Sequence, residues 1–167
     1  TGTYAWYDND STTFASTYGA LYSWYAVDNS AGLCPTGWHV PSDSAWTVLE
    51  NYLEANGYNY DGSITGNKYA KAMADTVLWI SSTVAGAVGN TDYPKYRNKS
   101  GFSGLPSGSR HLAGTHYDYL GSDGYWWSSS QNNPGHAWSR HLRYVDNFLN
   151  KNDDNKETGL SVRCIKD

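Results

Sequence analysis

GLCPTGWHVPSDSAWTVLENYL, residues 32–53, carries the clearest local structure in this chain. Its first part reads as loop, because Gly32, Pro35, Gly37 and Pro41 each interrupt a regular backbone. Ser42 then offers a hydroxyl to the unpaired N–H groups of a first helical turn, and Asp43 sets a negative charge at the positive end of the helix dipole. Trp46, Leu49 and Leu53 follow at helical spacing, and Gly57 ends the run. The spacing predicts a helix over 43–55.

Upstream, residues 1–14 read as a strand with a polar turn at Asp8–Ser11, and 18–27 as a short helix or a strand. In the helical case Leu21, Trp24 and Tyr25 share a face. Downstream, Tyr69, Met73 and Val77 predict a second helix over 67–77, and the polar, Gly-rich run 80–100 reads as loop. From residue 101 the pattern changes to short segments, GFSGLPSGSRH, GYWWSSS, HAWSRHLRY and GLSVRCIKD, separated by turn residues. Strand alternation puts Trp126 and Ser128 on one side and Trp127 and Ser129 on the other, and sets Val162, Cys164 and Lys166 against Arg163 and Ile165. Helices in the first half and strands in the second predict one α+β domain over 1–167 with an antiparallel sheet. Whichever of Trp126 and Trp127 faces inward belongs to the core, and Trp138 is expected to be mostly buried.

The composition narrows the function. Trp and Tyr number 8 and 15 against 3 Phe, so large rings with polar tips must both fill the core and edge a wet surface. A net charge of −4 with no Lys/Arg-rich run argues against nucleic acid as a partner. No apolar stretch approaches the roughly 18 residues of a membrane span. Cys34 and Cys164 lie near opposite ends of the sequence and outside any CxxC motif. They are either a disulfide or two buried thiols. A sequence rich in Tyr, Trp, Asn, Ser and Gly looks exported, which favours the disulfide. Such a long closure would stabilise the fold by on the order of 4–5 kcal/mol.

Motifs for chemistry are missing. His111 and His116, like His136 and His141, stand five apart, on opposite faces of a strand, and no HExxH occurs. Asn59, Asp61 and Gly62 imitate part of a calcium loop, but Gly57 and Lys68 occupy positions that require acids. No phosphate loop and no GxSxG elbow is present. Asp118 and Asp123 are the acids nearest to a glycosidase pair, and two Asp in a loop ordinarily bind water. No cofactor is expected. A structural calcium is compatible with the chain, but nothing in the sequence indicates one.

Three segments together, GLCPTGWHVPSDSAWTVLENYL (32–53), GFSGLPSGSR (101–110) and GYWWSSS…AWSRHLRY…NK…GLSVRCIKD (124–167), resemble the Fibrobacter succinogenes major paralogous domain, a bacterial family of exported modules. The opening AWYDND…TYGALYSWYAV is similar to the family's start, so the resemblance covers nearly the whole chain. One departure stands at Ala45, where the family's SDxEW helix start has an acid. The reciprocal half of the capping box is lost there, at about 0.5–1 kcal/mol. The resemblance implies a C-type-lectin-like fold, with two helices packed on a small antiparallel sheet and long loops. That fold is shared with the formylglycine-generating-enzyme group.

The same pattern resembles variable proteins of diversity-generating retroelements, in which a reverse transcriptase mutates template adenines and scatters Asn and Tyr codons over a C-terminal segment. Trp126, Trp127, Ala137, Trp138, Arg140, Leu142, Tyr144, Lys156, Gly159, Val162, Arg163 and Cys164 match the family frame. Between them, in a segment of about 131–153, stand residues of mixed chemistry: Asn132, Asn133, His136, Ser139, His141, Arg143, Asp146, Asn147, Phe148, Asn150, Asn152 and Asp153. These twelve are the candidate ligand-binding residues. Ser139, His141 and Arg143 alternate with Arg140, Leu142 and Tyr144, which puts variable residues on one strand face and frame on the other. Ser139, His141, Arg143, Asn147, Phe148, Asn150 and Asn152 are expected to form one exposed patch. The implied function is a receptor or display module, not an enzyme, on a cell, phage or virion surface. Its partner would be a protein or glycan on another cell, phage or host surface. The calcium-dependent sugar motifs EPN, QPD and WND are absent, and the two cysteines are not placed like the copper-binding pair of the formylglycine enzymes. The alternatives are a structural or adhesion module of a bacterial surface lipoprotein, and an enzyme of the formylglycine-enzyme fold group.

Overall fold

A computed structural model describes residues 2–112, 114 and 116–167. β1 (Tyr4–Ala5) leads into α1 (Ser11–Tyr18), and β2 (Leu21–Tyr22) returns antiparallel to β1. Of the strand and turn predicted over 1–14, the strand is confined to Tyr4–Ala5, and from Ser11 the chain is helix. Asp10 is its N-cap, accepting from the Thr13 backbone N at 3.0 Å. Residues 18–27 contain both alternatives in succession, β2 and then α2 (Trp24–Val27).

After β3 (Trp38–His39), α3 spans Asp43–Ala55 as the spacing predicts, with Ser42 Oγ accepting from Ala45 N at 3.1 Å. The second predicted helix shrinks to one turn, α4 (Ala70–Met73). Ala74 takes an extended conformation and bridges to Gly104, and Asp75 N donates to the Gly104 carbonyl at 2.8 Å. Long-range pairing thus overrides the local helical spacing, and Val77 is left exposed.

The main sheet contains β4 (Ser107–Arg110), β5 (Tyr117–Leu120), β6 (Asp123–Asn133), β7 (His136–Arg143) and β8 (Asn150–Asn155), in the order β5-β4-β6-β7-β8. It is not wholly antiparallel as expected, because β4 and β6 run parallel where Gly108 meets Gly124. Both glycines are required by close approach: a Cβ on Gly108 would lie 2.3 Å from the Asp118 carbonyl, and one on Gly124 2.5 Å from that of Leu105. Gly159 then bridges to Arg110 and Ser161 to Trp126, so the C-terminal segment touches both strands. β9 (Ile165–Lys166) pairs with β3. Cys34 and Cys164 form the expected disulfide, with Cα atoms 5.9 Å apart.

The centre of the sheet is buried on both faces. Trp126 packs with Trp46, Leu53, Tyr69, Met73 and Leu142 beneath α3 and α4. Trp127 packs on the other side with Trp24, Val27, Val40 and Leu160. Both tryptophans are core, where only one was expected to be. The polar tips on this second side are satisfied, since Trp24 Nε1 donates to the Ser128 carbonyl and Trp127 Nε1 to that of Tyr22, at 2.9 and 2.7 Å.

Candidate functional site

β7 sorts its side chains by parity. Arg140 and Leu142 face α3. Leu142 joins the Trp126–Trp46 core. Arg140 is fully buried and donates Nη1 to Asp43 at 2.9 Å and Nε to Glu50. Lys151, its cross-strand neighbour on β8, reaches Asp43 at 2.7 Å. Burial opposes ionisation of Asp43, but the hydrogen bonds and charges of Lys151 and Arg140 outweigh it and hold the carboxyl below its usual range.

Ser139, His141 and Arg143 take the opposite face. Register sets Asn152 beside Ser139 and Asn150 beside His141 on one flank, and Trp127, Tyr125 and Asp123 against the same three residues on the other. Asp123, Tyr125, His141, Arg143, Asn150 and Asn152, together with Tyr119 from β5, line an open recess of about 340 Å3.

The floor of this recess is tightly bonded. The His141 ring stacks on Tyr125 with centroids 4.0 Å apart and planes 17° from parallel. Asn152 Nδ2 stands 3.3 Å from His141 Nδ1, and Nε2 stands 3.2 Å from Asp123 Oδ2. An amide donor on Nδ1 fits the tautomer that carries its proton on Nε2 and donates it to Asp123. The Tyr125 hydroxyl donates to the same Asp123 oxygen at 3.1 Å. Burial, reinforced by the Asp123 carboxylate, pushes the Tyr125 phenol far above its ordinary value. Beside them Ser139 Oγ donates to Asp154, whose carboxyl is raised by burial despite that bond.

The rim is looser. Tyr119 is exposed at a φ of 68°, a left-handed conformation that costs an aromatic residue on the order of 1–3 kcal/mol. Its carbonyl accepts from Ser122 N at 3.0 Å, and its ring lies 6.3 Å from Tyr125. Arg143 reaches Asp146 at 3.7 Å from an exposed position, a pairing that solvent weakens.

The expected exposed patch therefore needs correction. Arg143 and Phe148 are exposed, while Asn147, Asn150 and Asn152 are partly covered. Ser139 and His141 are buried, because Trp127, Tyr125 and Asp123 on β6 cover them and their polar atoms find partners there or on β8. The twelve candidate residues also divide. His141, Arg143, Asn150 and Asn152 line the recess, and Asp146 is bonded to two of these through Arg143 and Asn150. Asn147 and Phe148 lie between β7 and β8, with Asn147 Nδ2 3.5 Å from the Ala85 carbonyl. Asn132, Asn133, His136 and Asp153 gather at the far end of β7. There Asn133 Oδ1 accepts from the backbone of Gly135 and His136, and Asn132 donates to Asp153. Asp153 is paired with Trp138, on the frame side of β8.

Trp138 is mostly covered, as expected, with Lys151 Nζ 4.2 Å from its ring centroid. Two further expectations change. His111 and His116 stack across the β4–β5 connection at 4.3 Å and so do not lie on opposite faces of one strand. Asp118 and Asp123 stand on β5 and β6, not in a loop, and Asp118 pairs with His116 at 3.4 Å.

Tyr119, Tyr125 and Asp154 are site residues that the sequence does not single out, and Asp123, weighed there only as half of a glycosidase pair with Asp118, instead holds His141 and Tyr125. The usable signal was the spacing of two between Asp123, Tyr125 and Trp127. Among the described residues no group of three or more His, Cys, Asp or Glu is poised for a metal. In the segment that imitates a calcium loop, Asp61 pairs with Lys68 at 2.6 Å and buried Asn59 bonds the loop's own backbone. No helix among the described residues is long and apolar enough to cross a membrane.

A family model described as the Fibrobacter succinogenes major domain matches residues 1–166. The chain belongs to that family. No significant match is found among curated proteins or among solved structures. In this Fibrobacter succinogenes major domain residues 32–53 and 124–167 supply the two sides of the Arg140 network and of the disulfide.

Proposed function

We propose that this domain is a ligand-binding module of receptor or display type and not an enzyme. In this reading it has a C-type-lectin-like fold whose β6–β7–β8 face is diversified, as in variable proteins of diversity-generating retroelements. The observation that carries the reading is the division of labour on β7. Arg140 and Leu142 tie the strand to α3, while Arg143, on the other face, opens with Asn150, Asn152 and Tyr119 onto a recess. A rigid frame below and adaptable polar and aromatic contacts above is the logic of a recognition surface. Ser139 and His141 belong to its floor. The partner is a protein or glycan on another cell, phage or host surface. The Cys34–Cys164 disulfide supports an extracytoplasmic location.

One observation favours the catalytic alternative: a raised Asp154 carboxyl and a raised Tyr125 phenol lie close to His141. Ser139, the serine on this face of β7, is fully buried and donates to Asp154 rather than to a histidine, which supports binding over acyl transfer.

The test of diversification is genomic. Sequencing the locus should reveal a reverse transcriptase gene and a near-copy of the segment encoding residues 125–165, with differences confined to template adenines. A locus with neither feature would refute diversification and favour an invariant structural or adhesion module.

A further inference from the structure

A second cavity, of about 380 Å3, opens between α3 and the β3–β9 ribbon, away from the recess residues. Trp38, Trp46, Leu49, Phe102 and Ile165 give it apolar walls, and among the described residues its charged lining is Lys166 and Arg163, which also lines an adjoining recess with Tyr18, Ser103 and Ser161. Its volume lies in the range of small-molecule sites, which are mostly apolar with a few placed polar groups.

Among the described residues Arg163 has no acid beside it, unlike Arg140 and Lys71, though buried Lys156 is likewise held by neutral oxygens and a ring. Arg140 has two carboxylates and Lys71 has Asp92 at 2.9 Å. Arg163 is half-buried, lies 4.6 Å from the Phe102 ring centroid and donates Nη2 to the Phe102 carbonyl, yet among the described residues no carboxylate is within ion-pair reach of it. Nor can α3 easily supply one, since Asp43 and Glu50 are taken by Arg140, and Glu54 accepts from Asn67 N. Burial lowers the Arg163 pKa, and its neighbours are a carbonyl and a ring, neither of which carries a negative charge. A second group in the same wall is also unsatisfied: Trp46 Nε1 is buried with no acceptor among the described residues.

We infer that this cavity binds a small apolar monocarboxylate, with its hydrocarbon body between Trp38, Trp46, Leu49 and Phe102 and its carboxylate on Arg163. A guanidinium presents N–H donors in a fork that matches two carboxylate oxygens, and an apolar environment strengthens the pairing. Lys166, exposed at the mouth, adds attraction for an anion. The site is independent of the sheet face proposed above, and either assignment can fail without the other.

The test uses the intact, disulfide-bonded domain and two probes, 2-naphthoate and its neutral counterpart 2-naphthalenemethanol, titrated by calorimetry at neutral pH. A charge-assisted hydrogen bond predicts that the acid binds saturably and that the alcohol binds at least about tenfold more weakly. Arg163→Gln should lower the acid's affinity to the level of the alcohol and leave the alcohol's own affinity nearly unchanged. Ala45→Trp, which fills the cavity, should remove both. Absence of saturable binding by the unmutated protein would overturn the assignment. So would equal affinity for acid and alcohol, or an Arg163→Gln protein that melts normally and still prefers the acid. If Arg163→Gln does not fold, the acid-to-alcohol ratio in the unmutated protein decides by itself.

Discussion

Replacing Arg140 by Met and, separately, Arg143 by Met tests the parity argument on one strand with the same chemical change. Arg140 is fully buried and tied to Asp43 and Glu50. Removing one partner of a buried ion pair costs about 3–5 kcal/mol, because it leaves charge without compensation. The lower figure applies here. Asp43 and Glu50 keep 22% and 20% of their side-chain surface exposed, and Lys151 remains on Asp43 at 2.7 Å. About 3 kcal/mol corresponds to a fall in Tm of roughly 6–12 °C for a domain of this size. Arg143, exposed and 3.7 Å from Asp146, should cost no more than about 1 kcal/mol. The assay is thermal unfolding by near-UV circular dichroism at pH 7 with the disulfide intact. Asp43 adds a pH signature. Its carboxyl is held below its usual value, so its contribution is present above the unfolded-state pKa and is lost as pH falls through the folded-state value. The Tm gap between wild type and Arg140→Met should therefore narrow as the pH falls below about 4. Equal melting of the two variants, or a larger loss at Arg143, would refute the assignment of frame and display faces.

Trp126→Ala and Trp127→Ala should each destabilise the domain by about 3–5 kcal/mol in chemical denaturation, since the two rings fill separate cores, and one variant melting like wild type would remove that side's core assignment. Replacing Cys34 and Cys164 by Ser should cost up to about 5 kcal/mol for a closure of 130 residues, read as a drop in denaturation midpoint, and an unchanged midpoint would show that the clip constrains nothing. Asp154→Asn should raise the Tm at pH 7. A folded pKa above the unfolded one means that ionisation costs stability at pH values above the window between them. The gain should vanish once the pH falls below about 4, and a Tm lowered at pH 7 would mean that the ionised carboxylate is the stabilising form.

What was legible in the sequence was what local chemistry dictates. Ser42, Asp43 and the Trp46–Leu49–Leu53 stripe give α3 because cap, dipole and face agree. The alternation along β7 correctly separates Arg140 and Leu142 from Ser139, His141 and Arg143. The misses depend on distant partners. α4 stops at Met73 because Ala74 and Asp75 pair with Gly104. His141 is polar enough to read as exposed, yet Tyr125 and Asp123 cover it. Counting back from the hairpin turn would not have found those partners, because the β6–β7 register shifts between Trp127 and Gln131 and again before Asn133. α1 carries only Phe14 and Tyr18 as an apolar pair, too little pattern to distinguish it from a turn.

The central claim is that the recess face accepts replacement and supports recognition. It is tested most directly by two matched libraries. One randomises Tyr119, Arg143, Phe148, Asn150 and Asn152. The other randomises Thr47, Val48, Asn51, Tyr52 and Ala55, which are exposed on the outer side of α3. Both are displayed with the disulfide formed, sorted for variants that survive a thermal challenge, and selected for capture of hen lysozyme as a defined protein probe. The account predicts that the recess library keeps its fold and yields lysozyme binders more often than the α3 library. An equal or lower yield from the recess library, or loss of fold on randomising those five positions, would contradict it.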